Sequence, residues 1–587
     1  MGKSFHFLDY IVFGCLLLTS ALIGLYYALT GGRQRTTKEW LVADRRAKWI
    51  PISLSLFASS TSAITLLGTS SEVYMFGTMY LFLSVAYVFV IPITAHIFIP
   101  IFHRLQITSE FTYIELRFGR ALRRLVVFLY ILFMIVYLAI VLYAPALALN
   151  AVTGIPMSAS LLSVGAVCIF YTAIGGMKAV IYADVLQTIV LICGMIAVMV
   201  LTLLKVGGFE KVFEIAIAGG AINFMDFRIN PTVRHSFWSL VIGGTFTWTA
   251  VYGTYQSHVQ RYVSVNHKSE AQKAVYLNIP GLILLIFMCG FIGLLAYIHY
   301  AFCDPLDKGE ILKPDQILPY LVMDILGNIP GFPGLFVSSI FSGALSTVST
   351  GVNALAAVTL EDVIKDILPS IESSSSNKVL ANILKVIAVI YGIVSLTLAW
   401  FAGKAGQILQ AALAVTGVFG GPIMGVFILG FFAKSANHKG AIIGFAVGVL
   451  LTSFIGIGAQ IYPPSLNEHL PRFNNCTMLN QTLSSQNLEI YIALQSKPMN
   501  NLSITPSEID SGSFVQAIFE ISYLWYSMIG SLTVYILGLL SSQFIGIHDQ
   551  SEVDPSLIFQ FGDAFWWDSE FTCKSDLDAK EYVDTKC

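Results

Sequence analysis

The chain has 587 residues, 56% of them hydrophobic and only 12% charged, with a mean hydropathy of +0.74. Soluble domains carry roughly 25% charged residues, so a soluble enzyme is all but excluded and one polytopic membrane domain in a lipid bilayer is expected. A net charge of -2 argues against nucleic acid as a partner, and the eight cysteines form no CxxC pair, so neither a redox motif nor a zinc scaffold is indicated.

In chain order, apolar runs fall at roughly 8–29, 50–75, 79–102, 124–149, 158–175, 184–204, 236–256, 275–299, 332–356, 381–402, 407–432, 440–461 and 520–546. Each is about long enough to cross a bilayer, which predicts thirteen helices. The first, from about Tyr10 to Leu29, is long enough to span and is followed by charge, unlike a signal peptide. Lys and Arg are retained on the cytoplasmic side of short loops. Arg33, Arg35, Lys38, Arg45, Arg46 and Lys48, then Arg104, Arg117, Arg120, Arg123 and Arg124, put the loops after the first and third spans inside, and hence the N-terminus outside. Lys178, then Arg261, His267, Lys268 and Lys273, then Lys434 and Lys439, follow on the same side under alternation. The segment 205–234 breaks the pattern, because Lys205, Lys211, Arg228 and Arg234 are assigned outside.

The layout expected is therefore an extracellular N-terminus at 1–7, a transmembrane domain over 8–546, an extracellular loop at 463–519 and a cytoplasmic tail at 547–587 of a multi-pass plasma-membrane protein. Sequons at Asn475, Asn480 and Asn501 all lie in the 463–519 loop, on the side where glycosylation occurs. Cys303 and Cys476 also fall in exterior loops; a disulfide between them and two separate thiols both remain open.

Two spans carry Ser, Thr and Gly where lipid favours hydrocarbon: Ala58 to Thr65, closing with Gly68 to Glu72, and Gly243 to Gln256. Glycine eases departure from helical geometry and hydroxyls satisfy the backbone groups that unwinding frees. Interrupted helices at matching places of two halves point to a secondary-transporter site. Five spans run from each break, so the halves, about 50–204 and 236–432, have opposite orientation. Small-residue helix packing is the competing reading. A third polar cluster, Ser342 to Gly351, lies in the ninth span and offers neutral oxygens to a small cation, or else hydroxyls bonded back to their own helix. Asp184 and Gln187, three apart, share a helix face, and an ionisable residue near a polar membrane core is suspected of function. No Lys or Arg is expected mid-span.

At these residues the chain resembles the sodium/solute symporter family. The runs Ser62 to Thr69, Tyr143 to Asn150, Gly175 to Val180, Gly243 to Trp248, Val259 to Tyr262, Pro314 to Gln316 and Gly331 to Phe336 look like its iodide, monocarboxylate and multivitamin branch, in order from about 8 to 546. The resemblance implies an all-α LeuT-type fold with a five-plus-five inverted repeat and thirteen transmembrane helices. It implies a main sodium site of the carbonyls of Ala58, Thr61 and Gly343 and the hydroxyls of Ser346 and Thr347, with Asp184, Gln187 and Gln256 linked to sodium coupling. Substrate and a second sodium would lie near Thr65, Tyr137, Trp248 and Tyr252. At Thr65 the iodide carrier has glutamine and the monocarboxylate carriers threonine, as here. Tyr255 replaces an asparagine usual in this branch, and Ser60-Thr61 replace a bulkier pair, which alters the pocket floor.

The expected function is sodium-coupled import of small organic monoanions such as lactate, pyruvate or short-chain fatty acids by alternating access, with sodium as coupling ion and no cofactor. A multivitamin carrier for biotin or pantothenate is the runner-up, supported by the likeness of Ala95 to Pro100 and Leu524 to Ser527 to that carrier; an iodide-like symporter and a non-transporting sensor complete the alternatives. A membrane enzyme lacks support, since no HExxH, GxSxG or GxxxxGK[ST] pattern occurs. The tail 547–587 has ten acidic residues against three lysines and reads as disordered or peripherally docked, and its end, Thr585-Lys586-Cys587, bears a weak likeness to a PDZ-type ligand.

Overall fold

The computed structural model describes residues 5–30, 40–41, 43–45, 47–369, 377–403, 406–462, 470, 514–546, 553–560 and 562. The three sequons, Cys476 and the last three residues lie outside the described residues. Among the described residues the regular structure is helical throughout. Ten helices are long and apolar enough to cross a membrane, and eleven if the bent pair Trp49–Ser60 and Ala63–Phe76 counts as one span. The predicted fifth span appears as the shorter apolar helix Met157–Phe170, and the predicted seventh as Gly244–Thr254 followed by Gln256–Tyr262. Interruption is why both miss the length expected of a simple span.

Burial separates centre from periphery. In Phe332–Ile367 94% of the most apolar window is buried, against 22% in Phe7–Tyr27 and 28% in Tyr523–Ile545. The Ser/Thr/Gly-rich ninth span is thus the central post, and the Leu/Ile-rich first and last helices face outward. A polar helix can occupy the centre because its hydroxyls bond back one turn, as Ser338 Oγ does to the Gly334 carbonyl and Ser342 Oγ to that of Ser338, each at 2.8 Å.

The expected interruptions are present. Trp49–Ser60 and Ala63–Phe76 meet at a 53° bend. Thr61 (φ -109°, ψ 92°) and Ser62 (φ -91°, ψ 169°) are extended there. In the second broken helix Tyr255 (φ -92°, ψ 124°) plays this part. A third irregularity lies at Gly176 (φ 59°, ψ -165°) inside Met157–Val206, where a left-handed φ requires glycine and marks the border of the fifth and sixth spans.

Two arginines of the 205–234 segment that disturbed the charge pattern are neutralised: Arg228 pairs with Asp226 at 2.6 Å and Arg234 with Glu72 at 2.6 Å. Past the last span, the tail docks where it is described: Phe559 N donates to the Phe431 carbonyl at 3.1 Å and Tyr113 Oη to that of Leu557 at 3.0 Å. Cys303 is disulfide-bonded.

Candidate functional site

The first break is built against the ninth span. The helical ladder ends with Thr61 N donating to the Phe57 carbonyl at 3.0 Å, so the carbonyls from Ala58 onward lose their regular i+4 donors. Gly343 packs directly on the unwound turn: a Cβ there would sit 3.1 Å from both the Thr61 carbonyl and the Ala63 amide. Thr347 Oγ1 donates to the Gly343 carbonyl at 3.0 Å and approaches that of Ser59 at 3.3 Å. Buried polar atoms normally find partners. Here Thr61 Oγ1, Ser346 Oγ, Asp184 Oδ1 and both amide atoms of Gln187 are buried without a hydrogen-bond partner, and Ser346 faces Asp184. The arrangement supplies neutral oxygens and one carboxylate where a small cation would be held.

Asp184 has a partner that the sequence reading places elsewhere. Arg261, expected in a cytoplasmic loop, is fully buried on Gln256–Tyr262, and its Nη2 lies 2.9 Å from Asp184 Oδ2. Its burial is what the sequence reading missed, because the chain resumes helical structure past the break at Tyr255 instead of entering a loop at 256. The guanidinium also donates from Nε to Ser55 Oγ at 2.7 Å and from Nη2 to Thr350 Oγ1 at 2.7 Å, while Ser55 Oγ donates to Asp184 Oδ2 at 2.5 Å.

The two breaks and the ninth span enclose a cavity lined by Ser62, Thr65, Tyr137, Trp248, Thr347 and His258, among others. Thr65, Tyr137 and Trp248 thus share one cavity wall. Tyr252 does not line it directly: it packs on His258, with ring centroids 5.0 Å apart, and its Oη donates to Asn278 Oδ1 at 3.3 Å. Gln256 bonds elsewhere as well. Its Oε1 accepts from the Glu110 amide at 3.0 Å and its Nε2 donates to the Thr108 carbonyl at 2.7 Å, so its amide is spent holding the 106–110 loop away from the Asp184 cluster. Residues not singled out beforehand are His258, Arg261 and Glu110, whose carboxylate oxygens are both buried without a partner. Burial and the neighbouring Asp362 push the Glu110 carboxyl well above the usual carboxylate range. His258 and Arg261 lie three apart on Gln256–Tyr262 and so share a face of that short helix.

Ion pairs brace both ends of this core. At one, Arg234 joins Glu72 and also donates to Gln410 Oε1 at 2.9 Å and Gln407 Oε1 at 2.7 Å. At the other, Arg123 Nη2 lies 2.7 Å from Asp362 Oδ1, and Ser109 Oγ donates to the same carboxylate.

Two broken helices crossing at a buried polar cavity define a secondary transporter of the LeuT-type five-plus-five fold. The chain belongs to the sodium:solute symporter family, whose profile matches residues 40–448. It is 42% identical over 550 residues to the sodium-coupled monocarboxylate transporter 1 of Homo sapiens, covering 94% of this chain and 89% of that protein. It is 39% identical over 564 residues to the sodium/iodide cotransporter of Homo sapiens, covering 95% and 86%. Among solved structures, a Na+-coupled sialic acid symporter in a substrate-bound outward-open state superposes with a TM-score of 0.74 at 22% identity, over 93% of this chain and 100% of that one. The protein is a multi-pass membrane transporter coupled to sodium, and not an enzyme.

Proposed function

We propose that the protein imports small monocarboxylates with sodium, and that sodium is held by the carbonyls of Ala58, Thr61 and Gly343 and the hydroxyls of Ser346 and Thr347, with Asp184 and Gln187 beside them. The observation that carries this reading is the unwound turn at Thr61 packed on Gly343, with unpartnered buried oxygens around it. Sodium there ties the first broken helix to the central ninth span and completes the cavity that substrate enters. The substrate carboxylate is seated at the start of Ala63–Phe76, where the helix N-terminus faces the cavity and Ser62 makes no side-chain cap. Trp248, Thr65 and Tyr137 enclose the rest. Each sodium moving down the membrane potential contributes about 2.3 kcal/mol per 100 mV. Alternating opening of the Glu72–Arg234 end and the Arg123–Asp362 end then moves the cargo.

The topology that goes with this reading is thirteen spans, with the N-terminus and the glycosylated 463–519 loop outside and the C-terminus inside. Cys303 then pairs with Cys476: Cys15, Cys168, Cys193 and Cys289 are free, and of the remaining cysteines only Cys476 shares its side of the membrane. Uptake of radiolabelled lactate, pyruvate, butyrate, biotin and iodide with and without sodium tests the function. Sodium-dependent monocarboxylate uptake that collapses in Ser346→Ala/Thr347→Ala is expected. Full uptake without sodium, or in that variant, refutes it.

A further inference from the structure

The cavity wall is apolar where Ile64, Met134 and Leu413 line it, and polar at one end, where Ser60, Ser257 and His258 meet. His258 is only 2% exposed. Its Nε2 lies 3.0 Å from Ser60 Oγ on the first broken helix, and its Nδ1 3.2 Å from Ser257 Oγ on its own. The rings of Tyr252 and Tyr255, at 5.0 and 6.3 Å, hold the imidazole in place.

The proton positions follow by elimination. Ser60 has one hydroxyl proton, and it is donated to the Leu56 carbonyl at 2.8 Å. Ser60 Oγ therefore accepts from His258, so Nε2 carries the ring proton. In the neutral imidazole Nδ1 is then an acceptor and takes the Ser257 proton. Every proton of this relay is committed within it or to the helix. What remains for the cavity is lone pairs on Ser60 Oγ and Ser257 Oγ. Such a surface repels a carboxylate and accepts a neutral hydroxyl donor.

We infer that the Ser60–His258–Ser257 relay reads a hydroxyl on the carbon next to the carboxylate, which makes 2-hydroxy monocarboxylates the favoured substrates over 2-oxo and unsubstituted acids of equal length. The inference rests on the monocarboxylate reading above and names the member of that class the pocket selects. The geometry suits one small molecule, because Ser60 lies two residues before Ser62, the N-cap of the helix at which the carboxylate is seated. Propionate leaves the relay's lone pairs unpaired, and pyruvate sets a third acceptor against them. Buried polar groups left unpaired discriminate more strongly than a missing methylene.

Sodium-driven uptake of lactate, pyruvate and propionate, all three-carbon acids, tests this as Vmax/KM for each in cells expressing the full chain. The wild type is expected to favour lactate over both others by at least about tenfold. His258→Leu and Ser60→Ala each bring the lactate-to-propionate ratio toward one, whereas His258→Gln, which keeps a donor at similar reach, retains most of it. The ratio is taken within one variant, so expression cancels, and Ser60→Ala carries the test where His258→Leu does not reach the surface. A wild-type ratio near one, or a ratio that neither variant moves, overturns this inference and leaves the monocarboxylate reading standing. Absence of sodium-dependent uptake of all three acids overturns both.

Discussion

Arg261 and Asp184 form an ion pair with neither side chain exposed, Nη2 to Oδ2 at 2.9 Å, joining the second broken helix to the sixth span. Two buried charges are tolerated because hydroxyls complete their bonding, Ser55 bridging both partners and Thr350 taking a guanidinium proton. Removing one partner strands the other in a dry interior. Asp184→Asn and Arg261→Gln are each expected to destabilise the protein by about 3–5 kcal/mol, and the double variant by clearly less than the sum. Thermal unfolding of the detergent-purified protein measures this; additive losses would show that the pair is not coupled.

Gly343 supports a prediction that separates packing from ligand chemistry. A methyl at this position meets the Thr61 carbonyl and the Ala63 amide at 3.1 Å, closer than the unwound turn accommodates without shifting. Gly343→Ala is expected to raise the half-maximal sodium concentration by about tenfold or more, equivalent to roughly 1.4 kcal/mol, while leaving folding largely intact. Gly562→Ala, where nothing among the described residues lies within 4 Å, is the control. Sodium activation curves for the two variants decide it, and coincident curves would remove the close approach from the account.

The broken helices were legible because their composition departs from that of a lipid-facing span: Ser59 to Thr65 and Thr245 to Gln256 cannot be explained by hydrophobic burial. Asp184 and Gln187 were legible from spacing. Arg261 was not, since a cation after an apolar run reads as a loop residue, and its partner lies 77 positions away in sequence. His258 was hidden for a similar reason: Gln256–Tyr262 has only 7 residues, too few for a periodicity, and Ser60 is 198 positions distant. Gln256 shows the converse, a residue that the family resemblance links to sodium coupling and that spends its amide on a neighbouring loop.

Asp315 gives a pH dependence outside the spans. Its carboxylate accepts from the Ile408 amide at 3.0 Å, capping the helix that follows, and burial pushes its carboxyl up to about 6 from 3.8 in spite of that bond. The folded protein therefore binds more protons at this group than the unfolded chain between about pH 4 and 6. Its contribution to stability is greatest below that window and is lost as pH rises through it, by up to about 3 kcal/mol. Asp315→Asn keeps a carbonyl acceptor for Ile408 and removes the titration. The melting temperature of the wild type is expected to fall relative to that of Asp315→Asn between pH 5 and 7.5; parallel profiles would exclude the group.

Arg234 ties one end of the core together from four sides. It pairs with Glu72 on the first broken helix, donates to Gln407 and Gln410 at the start of Ile408–Phe432, and lies over the rings of Phe76 at 4.5 Å and Tyr523 at 5.4 Å. In the alternating-access reading, a path from this end to Thr65 opens when these contacts separate. In a Thr65→Cys background, Arg234→Ala is expected to speed labelling by a membrane-impermeant thiol reagent several-fold. Arg234→Lys, a point charge without the planar fork, should fall between. Labelling is measured against the same protein without the Thr65→Cys change, because Cys15 and Cys193 are exposed. Saturating sodium and substrate should slow the wild-type background more than the Arg234→Ala one, since the variant has lost the contacts that re-form on closure. Equal rates in all three backgrounds would show that the Arg234 cluster braces the fold without gating it.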